Sequence, residues 1–231
     1  LANALAEDFK RTGQRKSESG ESLFVALSGG NSPRIFFERL SLSPYPEEIP
    51  WNNVHFFWGD ERCVPPDDTE SNFKMAYDAL LSHVPIPDKN IHRIMGEKPP
   101  RLEVKRYEKE IQDHIPQGKN GLPQFGWIFL GMGEDGHTAS LFPGATTLFE
   151  KEAICVVAEH PASRQKRISL TLPVINNATR VSFLVTGEEK ASIVSEILKK
   201  TPSSLNYPSA KVQPDDGILE WYLDKSSARE L

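Results

Sequence analysis

Cysteine is almost missing from this chain: Cys63 and Cys155 are the only two in 231 residues. They form neither a C-x-x-C pair nor any metal-type spacing, which excludes a disulfide framework and a zinc ribbon and fits a reducing cytoplasm. No apolar run approaches the roughly 18 residues of a membrane span, and no charged-then-apolar leader opens the sequence as given. Neither a membrane nor a secretory route is therefore expected. Basic blocks are absent too, and the net charge is −5, so nucleic acid is not an expected partner. The histidines (His55, His83, His92, His114, His137 and His160) show no H-E-x-x-H or other paired spacing, which argues against a protein-bound catalytic metal. No internal repeat or low-complexity tract interrupts the chain.

What is present is an ordinary globular composition, 38% hydrophobic and 26% charged. The length suits one sizeable domain, and residues 1–231 are read as one. Short apolar runs alternate with amphipathic segments, which predicts an α/β fold with a mainly parallel sheet flanked by helices. Strands are expected at Leu23 to Leu27, Val54 to Trp58, Trp127 to Leu130, Ile154 to Ala158, Ile168 to Leu172 and Val181 to Val185. Helices are expected over Leu1 to Arg11, from an N-cap at Ser32 followed by Pro33, from near Ser71, and along Val104, Tyr107 and Ile111. Thr186-x-x-Glu189 reads as a capping box opening a last helix, whose stripe is Ile193, Val194, Ile197 and Leu198. The proline-rich joints at Ser43 to Pro50, Pro85 to Pro87 and Pro99-Pro100 read as loops within one domain.

The chemistry concentrates in Gly131-Met132-Gly133-Glu134-Asp135-Gly136-His137-Thr138-Ala139-Ser140, directly after the apolar run Trp127 to Leu130. Its glycines let the backbone turn sharply and approach a ligand closely. An acid and a base follow within the same turn. The segment also fits the G-x-G-x-x-G dinucleotide pattern, but that pattern belongs to an opening strand–turn–helix unit. Here it lies past mid-chain, and Pro143-Gly144 cuts any following helix short. Dinucleotide binding is therefore disfavoured, and no cofactor is expected.

Three other places carry ligand-type residues. Ser28-Gly29-Gly30 runs from a strand into a helix N-terminus, either as a phosphate cradle of backbone N–H groups or as a tight turn that needs glycine for geometry alone. Gly59-Asp60-Glu61-Arg62-Cys63 sets charges at a strand's carboxyl edge, where open α/β sheets bind ligands. Arg62 has the planar fork that clamps phosphate; the alternative is a surface ion-pair cluster. The carboxylates beside Cys63 would raise its thiol pKa, against a nucleophilic role. Further on, Arg164, Lys166 and Arg167 precede a strand, and Lys190 sits at a helix N-terminus, unfavourable for a cation unless an anion is bound there.

Ser28-Gly29-Gly30-Asn31-Ser32-Pro33, Gly59 to Pro65, Ser71-Asn72, Gly131 to Gly144 and Gly187-Glu188-Glu189-Lys190-Ala191 resemble the 6-phosphogluconolactonase family in order and spacing, and Trp221 to Asp224 resembles its last strand. Gly131 to Gly144 is the specific block, and Asn31-Ser32 departs from the Ser-Thr more usual there. The resemblance implies a modified Rossmann-type fold shared with glucosamine-6-phosphate deaminase and ribose-5-phosphate isomerase. It also implies hydrolysis of 6-phospho-D-glucono-1,5-lactone to 6-phospho-D-gluconate, with a small sugar-phosphate lactone as partner and no nucleotide. A lactone carbonyl is electrophilic already, so water attack needs a base, an oxyanion partner and positioning. In this reading His137 is the base, and N–H groups of the Gly131 to Gly136 turn, Gly131 and Gly133 among them, steady the oxyanion. Arg62 and Lys190 hold the phosphate. Ser28, Gly29, Gly30, Asn72 and Arg167 wall the site, and Asp60 and Asp135 orient these groups or bind hydroxyls. The deaminases tend to continue Ile-Ala-Phe-Asn-Glu-Pro after their histidine, whereas this chain has Thr138-Ala139-Ser140-Leu141-Phe142-Pro143 and lacks the ring-opening glutamate. A non-catalytic sugar-phosphate sensor would need only the phosphate grip. Oligomeric state is not legible.

Overall fold

The computed structural model covers residues 1–231. Its strands are β1 (Leu23–Leu27), β2 (Val54–Trp58), β3 (Asp60–Arg62), β4 (Trp127–Leu130), β5 (Cys155–Glu159), β6 (Lys166–Leu170), β7 (Arg180–Val185) and β8 (Ile218–Leu223). Its α-helices are α1 (Ala2–Glu18), α2 (Asn31–Leu40), α3 (Tyr45–Glu48), α4 (Asn72–Ala79), α5 (Pro100–His114), α6 (Leu172–Asn176) and α7 (Ala191–Leu198). The expected α/β class, a mainly parallel sheet with flanking helices, is the one observed. The main sheet runs β2-β1-β4-β7-β8 with every neighbour parallel. A second, antiparallel sheet runs β3-β6-β5.

The strand order reverses beside β1: the chain steps outward to β2, then returns to place β4 on the other side of β1. At such a switch point the loops leaving the two adjacent carboxyl ends diverge and open a crevice. The loops here are Ser28-Gly29-Gly30 after β1 and Gly131 to Gly136 after β4. Helix and sheet meet in a continuous apolar core of 50 buried residues. Phe9 of α1 is its hub, with ring centroids 6.0 Å from Phe36, 6.2 Å from Phe56 and 5.9 Å from Trp127. Each such aromatic pair contributes about 0.5–1.5 kcal/mol beyond burial.

Several boundaries differ from the sequence expectation. The helix α1 runs on past Arg11 to Glu18, with Gly13 buried over Pro50. The expected strand Ile168 to Leu172 instead spans Lys166–Leu170, because Pro173 cannot extend a ladder and lies in the first turn of α6, which opens at Leu172 after the Thr171 N-cap. The charged residues Lys166 and Arg167 pair in the hairpin with Glu159 and Ala158. Likewise the expected Ile154 to Ala158 is Cys155–Glu159. Two of the expected loops hold helix: α3 lies inside Ser43 to Pro50, and Pro100 is the first residue of α5.

Two expected caps are not formed. Gly30, not Ser32, is the N-cap of α2, and the Ser32 hydroxyl lies 2.7 Å from that of Thr186. That contact occupies the hydroxyl expected to cap the last helix. A short 3-10 turn, Glu188–Lys190, intervenes, and α7 begins at Ala191 without a side-chain cap. The pairing ties the first residues of α2 to the end of β7, across the crevice floor. The expected start near Ser71 is observed, with Ser71 accepting the Lys74 N–H at 3.1 Å. No helix is long and apolar enough to cross a membrane.

Candidate active site

The residues that line the crevice include Ser28, Gly29, Gly30, Asp60, Arg62 and Asn72, and Gly131, Gly133, His137, Arg167 and Lys190. All were singled out from the sequence. Asp135 alone among the expected residues stands behind the wall, not in it. Its Oδ1 accepts from His137 Nδ1 at 2.5 Å and from the His137 backbone N–H at 3.0 Å. Burial pushes the Asp135 carboxyl up, but the hydrogen bonds from His137 outweigh it and hold the group below its usual value. The pairing fixes the proton on Nδ1 and leaves Nε2 with its lone pair.

The glycines here act by close approach. A Cβ on Gly133 would overlap the His137 ring, and one on Gly29 would overlap the Asn72 amide. The loop also consumes part of its own donor set: Gly133 N–H bonds His137 O at 2.9 Å and Gly136 N–H bonds Gly133 O at 3.0 Å. The expectation that Gly133 steadies an oxyanion through its N–H is therefore corrected, because that donor is already paired. After His137 the chain turns through Ala139, held at a φ of 48°, a conformation that costs a non-glycine residue about 1 kcal/mol or more. The turn delivers Ser140 Oγ to Asp60 Oδ2 at 2.6 Å.

Asp60 is 5% exposed and is held from a second side by Asn72 Nδ2, 2.9 Å from its carbonyl and 3.3 Å from Oδ1. Its neighbour Glu61 overturns the surface-cluster alternative for this run. At 2% exposed, it accepts the backbone N–H groups of Asn72 and Phe73 at 2.7 Å each, the Arg62 N–H at 2.7 Å and the Ser71 hydroxyl at 3.0 Å. It is the anchor that docks the start of α4 against β3. Nothing in the local sequence separates it from an exposed acid. Burial raises the Cys63 thiol to about 11, with Glu61 adding to it, so the thiol is protonated and inert at neutral pH.

The cations show the strongest electrostatic anomaly. Arg62 and Arg167 are direct cross-strand partners in the β3–β6 pair, where like charges repel. Both Nε atoms are buried without a hydrogen-bond partner. Burial lowers the Arg167 pKa; Asp60 opposes the shift and Arg62 adds to it. Lys190 ends the 3-10 turn on the same crevice, while its neighbour Glu188 pairs with Arg229 instead. An anion between these groups would relieve the repulsion and complete the buried donors.

Sequence reading missed several supports. Ser209 donates from both its hydroxyl (2.8 Å) and its N–H (3.0 Å) to Gly136 O, and Tyr207 packs over Gly136. His160 sits edge-on to Phe142, which in turn lies 4.9 Å from His137. Burial and nearby Arg167 lower its pKa. Apart from that of Phe142 with His137, none of these contacts is local in sequence.

Residues 1–221 match the model of a family described as glucosamine-6-phosphate isomerases/6-phosphogluconolactonase. The chain belongs to that family. It is 48% identical to a 6-phosphogluconolactonase of Haemophilus influenzae over 93% of this chain and 90% of the relative. A crystal structure of a 6-phosphogluconolactonase from Thermotoga maritima superposes with a TM-score of 0.82 at 30% identity, covering 96% of this chain and 94% of the other. The structure of a monomeric glucosamine-6-phosphate deaminase superposes at 0.80 with 19% identity, covering 100% and 95%, and so shares the fold. Within this family the crevice beside β1, with its oriented imidazole and crowded cations, is the candidate site.

Proposed function

We propose that this chain is an enzyme that hydrolyses 6-phospho-D-glucono-1,5-lactone to 6-phospho-D-gluconate, the lactonase step of the oxidative pentose phosphate pathway. The observation that carries the reading is one crevice lined by both an oriented imidazole and the cations Arg62, Arg167 and Lys190. In this reading His137 Nε2 takes a proton from water as it attacks C1, and Asp135 steadies the imidazolium that forms. Arg62, Arg167 and Lys190 hold the 6-phosphate, with Gly29 and Gly30 as a backbone wall at the start of α2. Asp60, bonded to Ser140 and Asn72, positions sugar hydroxyls and offsets the charge of Arg167. The separation of phosphate from reacting carbonyl lets binding energy at one end orient the other. No side-chain nucleophile is required, in keeping with a Cys63 thiol that stays protonated. Thr138 to Pro143 provide no glutamate for ring opening, which favours the lactonase over the deaminase. The two free thiols fit a reducing cytoplasm.

The test offers the phospholactone and glucosamine 6-phosphate to the same preparation, each corrected for its rate in buffer. Turnover of the lactone alone is expected; deamination, or ligand binding without turnover of either, would replace this reading.

A further inference from the structure

Three histidines that look unrelated in sequence converge away from the crevice. His55 lies on β2, His92 follows Asn90 and Ile91 beside that strand, and His114 ends α5, one helical turn after Glu110. His92 Nδ1 is 2.7 Å from Glu110 Oε1, and His114 Nδ1 is 3.8 Å from the same oxygen. Ligand atoms of His92, Glu110 and His114 all fall within 4.8 Å of one another. None of the three lines the crevice.

We propose that His92, Glu110 and His114 form a binding site for a divalent transition-metal ion of the zinc type, a structural clamp separate from the catalytic crevice. Two imidazoles and one carboxylate are a borderline-soft nitrogen and oxygen set of the kind Zn²⁺ takes, with water completing a tetrahedron. The i, i+4 spacing of Glu110 and His114 places both on one face of α5. The outer shell is already built. His92 Nε2 lies 3.0 Å from His55 Nδ1, so a metal on His92 Nδ1 leaves Nε2–H to donate to His55, the arrangement that orients a ligating imidazole. Phe57 stacks on His92 at 4.3 Å and fixes the ring plane. Arg106 bonds Glu110 Oε2 at 3.3 Å, which leaves Oε1 toward the imidazoles.

Metal–nitrogen bonds of about 2.0–2.1 Å set tetrahedral donors about 3.3 Å apart, so His92 Nδ1 and Glu110 Oε1, now 2.7 Å apart, must part slightly while His114 Nδ1 closes from 3.8 Å. His114 supplies the movement: it is half-exposed, and its Nδ1 now donates to Glu110 O at 2.9 Å. Binding shifts the His114 proton to Nε2 and turns the freed lone pair of Nδ1 to the ion. His92 likewise carries its proton on Nε2. The clamp then joins the end of α5 to the segment that runs beside β2.

The test is calorimetric titration of Zn²⁺ into the metal-stripped full chain, with thermal unfolding followed in parallel. One ion per chain and a raised Tm are expected. His114→Ala alters an exposed residue and should fold normally; it should abolish both effects. His55→Phe should weaken binding about 10- to 100-fold through the outer shell. His137→Ala should bind as the wild type does. Absence of one-per-chain binding, binding that survives His114→Ala, or binding lost with His137→Ala would each overturn the proposal.

Discussion

The molecule holds two groups of histidine that differ in almost every physical respect. At the crevice a single imidazole, His137, is bonded on one nitrogen only and faces cations that repel one another. Beside α5, by contrast, His92 stacks on His55 and on Phe57 while the His114 ring tilts against both histidines, with centroids 4.3–6.4 Å apart, and His92 bonds to His55 and to Glu110. The first region keeps unmet bonding capacity and like charges side by side, which costs stability and is retained where a ligand completes it. The second has its polar atoms mutually paired and packed against the core. An isolated base with a fixed tautomer can take a proton from water; a stacked cluster is suited to holding structure together.

The largest expected effect breaks the first region at its base. His137→Ala should lower kcat by about 10²-fold or more, measured as acid release from the phospholactone. His83→Ala, an exposed histidine bonded to a helix carbonyl, should be silent in the same assay. If both variants behave alike, the distinction drawn for His137 fails.

Next come the crowded cations. A charge-assisted hydrogen bond contributes about 1.5–3 kcal/mol, or one to two powers of ten in binding. Arg62→Ala, Arg167→Ala and Lys190→Ala should each raise KM by that order, with some loss in kcat, and should lose preference for the phosphorylated lactone over the plain one. Full retention of that preference in all of them would show that the phosphate lies elsewhere. Because Arg62 and Arg167 repel, either single variant should keep or gain thermal stability when no ligand is present.

A smaller effect should separate the regions by pH. Burial, then the charges of His92, His114 and Lys89, lower the His55 pKa from 6.5 to about 4, while Glu110 attracts protons to the same cluster. An unfolded chain therefore binds the His55 proton first as pH falls, and stability should decline from about pH 6.5 toward pH 4. Midpoint temperatures recorded across that range check it, and His55→Phe should flatten the decline. Smallest of all, chelation and dialysis should leave kcat unchanged, since the crevice chemistry needs no ion. Activity that returned only with added metal would contradict that.

How much of this was legible follows from how local each feature is. Strands β1, β2 and β4 coincide with the apolar runs, because buried parallel strands are continuous in hydrophobicity. The His137 loop was legible for a similar reason: turn, acid and base occupy ten consecutive residues. The small sheet was harder, since β3 and β6 carry charges that line the crevice and hide the strand pattern. The expected N-cap at Ser32 and capping box at Thr186 do not form because these two residues, 154 positions apart, bond each other. Glu61 as a buried anchor, Ser209 behind Gly136 and the α5 cluster all depend on partners brought together only by the fold. The stripes and motifs of a linear sequence carry no sign of them.

The claim that base and phosphate grip are separate parts of one crevice is tested most directly by the substrate preference of His137→Ala. Its kcat/KM should be measured on the phosphorylated and the plain lactone beside the wild type, both corrected for spontaneous hydrolysis. The account predicts that turnover falls by a similar factor on both substrates, while KM for the phosphorylated lactone and the preference for it persist. Near wild-type turnover, or a collapse of the preference along with the rate, would contradict it.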